Sequence, residues 1–76
     1  MKQQHYYPDA QELGLRIKAA RQDQHLTQAT LAEYAEMNSV YMGRIERGEV
    51  CIKVITLCKI ASALNVPADW FLSKHN

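Results

Sequence analysis

The chain has little of whatever would commit it to a special class. Of 76 residues, three are Gly, two Pro and two Cys. So little Gly and Pro excludes a collagen-like or low-complexity chain, and 47% hydrophobic residues exclude a disordered one. No apolar run approaches the roughly 18 residues that cross a bilayer, so no membrane partner is expected. The first nine residues hold no apolar core and do not read as a secretory signal. Cys51 and Cys58 have neither a CxxC nor a paired-histidine spacing. They read as reduced thiols, and with no signal they point to the cytoplasm. His5, His25 and His75 are scattered, so neither a metal nor a cofactor is expected. No Ser/His/Asp or Cys/His grouping stands out, which argues against an enzyme. Nor is there an excess of one charge: nine Lys and Arg stand against eight Asp and Glu. If the chain binds nucleic acid, its cations must be placed by position rather than supplied in bulk.

What is present is helical periodicity. Pro8-Asp9 opens a first helix, expected over 9–24, with Asp9 and Glu12 at capping-box spacing and Leu13, Ile17 and Ala20 on one face. Thr27 is a good N-cap for a second helix carrying Leu31, Ala32 and Ala35. Asn38 and Ser39 are cap formers that start a third, which runs through Met42 and Ile45 and stops at Gly48. A fourth, from Val54, shows Leu57, Ile60, Ala61 and Leu64, and Asn65 ends it. Pro67 sets up a short fifth from Ala68 to Leu72. No strand pattern and no repeat occur. The expectation is an all-α domain over 9–72, with an arm at 1–8 and a polar tail at 73–76.

Thr27 to Gly48 carries the functional signal. One helix ends near Ala35, about three residues turn, and another starts near Ser39. That is helix-turn-helix spacing, in which the second helix enters the DNA major groove. Gln28, Ser39, Val40, Gly43 and Arg44 are expected to face outward. Residues 13–72 resemble the phage-repressor-like (Xre or Cro-like) helix-turn-helix family. The matching pieces are Leu13-Gly14-Leu15-Arg16-Ile17 with Arg21, then Leu26-Thr27-Gln28-Ala29-Thr30-Leu31-Ala32. Ile45-Glu46-Arg47-Gly48 follows, and then the run from Leu57 to Pro67. The stretch Cys51-Ile52-Lys53-Val54-Ile55-Thr56-Leu57 is similar to that of restriction–modification controller proteins.

The resemblance implies a compact five-helix, lambda-repressor-like bundle that binds double-stranded operator DNA as a homodimer. It assigns base contacts to Asn38, Ser39, Val40 and Arg44, and phosphate contacts to Gln28, Tyr41 and Arg47. It makes Arg21 and Glu46 a structural ion pair and this end of the fold the dimer surface. Since three consecutive residues spread around a short helix, Trp70 is expected mainly in the core and Phe71 or Leu72 partly at the interface. Arginine is the best reader of a guanine, because it can bond both acceptors on the base edge. Arg16, Lys18, Lys53 and Lys59 are expected to add cations at the edges of the footprint.

Three departures stand out. Glu36 occupies a turn position that is often Gly in the family. Gly43 lies inside the recognition helix, and Ile52-Lys53 replaces the usual Pro-Ser. Between Thr27 and Val50, two arginines face four glutamates. That local deficit favours an alternative reading as an interaction module, such as an antitoxin or anti-repressor component.

Overall fold

The computed structural model describes residues 8–75. They form five helices: α1 (Ala10–Asp23), α2 (Gln28–Tyr34), α3 (Ser39–Glu46), α4 (Val54–Leu64) and α5 (Ala68–Leu72). Residues 1–7 of the expected arm lie outside the described residues. The first three helices begin where a polar side chain takes up N–H groups that have no partner within the helix. Asp9 accepts from the N–H of Glu12 at 2.8 Å and Thr27 from that of Thr30 at 3.0 Å. Asn38 accepts from both Val40 and Tyr41, at 2.7 and 3.1 Å. Glu12, expected to serve a capping box, pairs its carboxylate with Arg16 one turn on, at 2.6 Å.

The first four helices stop in the same way. A residue in the left-handed region donates its N–H to the carbonyl three back, and the next residue donates to the carbonyl five back. This is the Schellman ending, which satisfies two orphan carbonyls. The left-handed positions are His25, Glu36, Gly48 and Asn65, with φ between 57° and 75°. Only one of the four is glycine. The turn at Glu36 therefore keeps the family's geometry without its usual residue. The residues that follow three of these positions, Leu26, Met37 and Val66, tuck against the core.

The core is one cluster. Ile17 from α1, Leu31 and Ala32 from α2, Met42 and Ile45 from α3, Leu57, Ile60, Ala61 and Leu64 from α4, and Phe71 from α5 are all buried. Close approach depends on small residues. A Cβ on Gly14 would lie 2.4 Å from the carbonyl oxygen of Ile45, so α1 crosses α3 with backbone nearly touching backbone. Phe71 is fully buried, which corrects its expected place at a dimer surface. Trp70 and Leu72, at 41% and 40% exposure, lie outside instead. Successive helical side chains point about 100° apart, so once Phe71 faces the core its neighbours must flank it.

Arg16 is a second correction. It is buried rather than part of a footprint, and donates to the carbonyls of Phe71 and Ser73 at 2.8 and 2.6 Å. It thereby ties the end of α5 to α1, a favourable place for a cation at a helix C-terminus. The start of the polar tail is held down as well. The Ser73 hydroxyl donates to the Asp69 carbonyl, and the His75 ring lies 4.4 Å from that of Trp70.

Glu36→Gly is expected to raise stability by about 1 kcal/mol. It removes a left-handed cost of ~1–2 kcal/mol and adds part of that back as lost chain entropy. Thermal unfolding should shift upward by roughly 4–8 °C for a domain of this size. Gly48→Ala should shift it downward, since a Cβ there would meet the Cα of Gln11 at 2.7 Å.

Candidate nucleic-acid interface

A buried ion pair ties α1 to the end of α3. The Nε and Nη2 of Arg21 donate to the two oxygens of Glu46 at 2.7 and 2.9 Å, a bidentate fork. Its Nη1 donates to the carbonyl of Leu26 at 2.7 Å, so the same guanidinium holds the turn after α1. The bond to Glu46 raises the pKa of Arg21 against the opposing effect of burial. Glu46 takes a third bond at 3.0 Å, from the side-chain amide of Gln28. One buried carboxylate thus fixes α1, the end of α3 and the first residue of α2. Gln28 keeps a second N–H for an outside acceptor.

Outside this pair lies an open groove of about 370 Å³, lined by Gln28, Ala29, Ser39, Val40, Gly43 and Arg47. The helix-turn-helix spacing brings these residues to one face. Val40 is 70% exposed, an apolar side chain held in solvent at the start of α3. Ser39 and Arg44 are exposed beside it. Asn38 is exposed too, but its oxygen is committed to the cap of α3, so only its NH₂ group can reach out. Tyr41 is half-buried against the core.

Gly43 was expected to face outward and is buried. A Cβ there would meet Nη1 of Arg47 at 3.1 Å and Oε1 of Gln28 at 3.3 Å. A side chain there would press on the ends of Arg47 and Gln28, which converge over α3. Sequence reasoning missed Ala29 in the groove wall. It also missed Glu49, whose carboxylate lies 2.8 Å from Nε of Arg47 and 3.6 Å from Nε of Arg44. The signal was legible: Gly48 ends α3, and the residue after such a glycine folds back over the last turn.

A profile of the helix-turn-helix family matches residues 17–71. The chain belongs to the phage-repressor-like (Xre/Cro-like) helix-turn-helix family. It is 39% identical over 64 residues to the HTH-type transcriptional regulator SutR of Escherichia coli (strain K12). That match covers 84% of this chain and 36% of SutR, so the chain spans about a third of that relative's length. Among solved structures, the restriction–modification controller protein C.AhdI from Aeromonas hydrophila superposes with a TM-score of 0.81 at 27% identity. The match covers 83% of this chain and 96% of the controller. SinR, a master regulator for biofilm formation solved in complex with DNA, superposes with a TM-score of 0.76 at 29% identity, over 80% of this chain and 98% of that one. The fold is that of helix-turn-helix regulators and not of an enzyme. Among the described residues, no helix is long and apolar enough to cross a membrane.

Breaking the buried pair from either side leaves an uncompensated charge in the core. Glu46→Ala and Arg21→Ala are each expected to cost about 3–5 kcal/mol in urea unfolding. The double replacement should cost clearly less than the sum, because it strands neither charge.

Proposed function

We propose that the chain is a sequence-specific regulator of transcription, acting in the cytoplasm as a homodimer on a palindromic operator. One observation carries the reading. Ser39, Val40 and Arg44 are exposed on α3, and Gln28, at the start of α2, lines one groove with Ser39 and Val40. A helix with such a face, braced by a second helix, fits a major groove. Arg44 would read a guanine and Val40 a thymine methyl. Ser39 and the NH₂ group of Asn38 would donate to base edges. Gln28, Arg47 and the hydroxyl of Tyr41 would bond phosphates, which sets register but reads no sequence.

The homodimer rests on α5. Trp70 and Leu72 are partly exposed beside the buried Phe71, apolar surface that a two-fold contact would cover. The two α3 helices would then enter successive major grooves about 34 Å apart.

The test is selection from a random duplex pool at stated salt, with retained sequences read out. A two-fold symmetric motif with half-sites one helical turn apart is expected. A folded protein that enriches nothing would instead point to an interaction module. On the selected site, Arg44→Ala should relax the preference at one base position, at about 1–3 kcal/mol, and Gln28→Ala should weaken all sequences alike. Leu72→Asp should sediment as a monomer and bind the palindrome weakly while still melting cooperatively.

A further inference from the structure

The ending of α3 differs from the other three in one respect. Where Leu26, Met37 and Val66 carry an apolar side chain back toward the core, α3 has a carboxylate. The N–H of Glu49 donates to the carbonyl of Arg44 at 2.9 Å, and the N–H of Gly48 to that of Ile45 at 3.0 Å. The backbone of the cap therefore holds residue 49 above residue 44. From there one Glu49 oxygen accepts from Nε of Arg47 at 2.8 Å. The other accepts from Nη2 of Arg47 at 3.3 Å and lies 3.6 Å from Nε of Arg44. Arg44 and Arg47 are the only Lys or Arg between Thr27 and Val50. A single carboxylate meets every fixed cation of the helix-turn-helix.

We propose that Glu49 is a built-in competitor for DNA: it holds Arg44 and Arg47 in the free protein, must give them up on binding, and so suppresses sequence-independent association. This rests on the DNA-binding reading above. The hydrogen bond from Arg47, first, and the nearby charges of both arginines hold the Glu49 carboxyl below its usual range, so it is ionised at neutral pH. The pair is nonetheless solvent-exposed, and exposed pairs are weak. That weakness leaves it displaceable. An operator that offers Arg44 a base edge and Arg47 a phosphate together displaces the carboxylate readily. A random duplex offers phosphates alone, and sequence-independent binding depends on neutralising them with Lys and Arg. Freeing the arginines from Glu49 costs the same on either duplex, and a random duplex has no base contact to offset that cost.

The experiment measures binding to a labelled random-sequence duplex of about 30 base pairs, by fluorescence anisotropy between 50 and 200 mM salt. Wild type, E49Q, E33Q and R44A/R47A are compared, each first shown folded by circular dichroism. Among the described residues, Glu33 is exposed on α2 and forms no ion pair with either arginine, so E33Q removes the same charge without the same geometry. E49Q should bind on the order of tenfold more tightly, with a salt slope steeper by about 1–2, as one or two phosphate contacts are gained. E33Q should stay within about twofold of wild type. Equal gains for E49Q and E33Q would reduce the effect to bulk charge and overturn the proposal. So would an E49Q indistinguishable from wild type while R44A/R47A binds more weakly, since the arginines would then be at work but not held. If no folded variant binds this duplex and the selection above enriches no sequence, the DNA-binding reading itself falls and takes this proposal with it.

Discussion

The bidentate pair between Arg21 and Glu46 is the interaction on which the rest of the arrangement depends. It joins two residues 25 apart in sequence and is shut away from solvent. Replacing such a pair with apolar groups of similar volume is often neutral, so its value here does not lie in net stability. Its value lies in what the geometry dictates. The fork fixes the end of α3 against α1, the third nitrogen fixes the turn at Leu26, and the spare lone pair of Glu46 orients Gln28 at the start of α2. Gly14 allows this by letting the two helices cross at backbone distance.

The helix endings are the second organising device. Four Schellman endings in a short chain close off α1 to α4 and satisfy carbonyls that would otherwise lack a partner. Three of them return an apolar side chain to the core, and the strain of left-handed His25, Glu36 and Asn65 is borne by the packing that follows. The fourth places a carboxylate over the last turn of α3, beside Arg44 and Arg47. The same backbone motif thus builds the core in three places and adjusts the electrostatics of the surface in the fourth.

Much of this was legible in the sequence. The caps Asp9, Thr27 and Asn38, the stop at Gly48 and the left-handed Asn65 are local features, set by side chains within a few residues of the backbone they serve. The pairing of Arg21 with Glu46 was legible only through family resemblance, since no local rule joins residues so far apart. Gly43 and Arg16 were misplaced for a related reason. A glycine buried beneath converging side chains and an arginine buried against the end of a distant helix look, along the chain, like surface positions.

The sequence by itself determined the number of helices, where each begins and ends, and the family. Apolar periodicity and capping chemistry act over one or two turns and need no partner. Only the tertiary structure decided which of Trp70, Phe71 and Leu72 enters the core. Three consecutive side chains spread around a short helix, and the angle at which α5 meets α1 and α4 selects one of them. It also decided that Arg16 belongs to the core and that Gln28 leans on Glu46. These roles come from long-range contacts, and a charged or amide side chain does not carry its partner in its own identity.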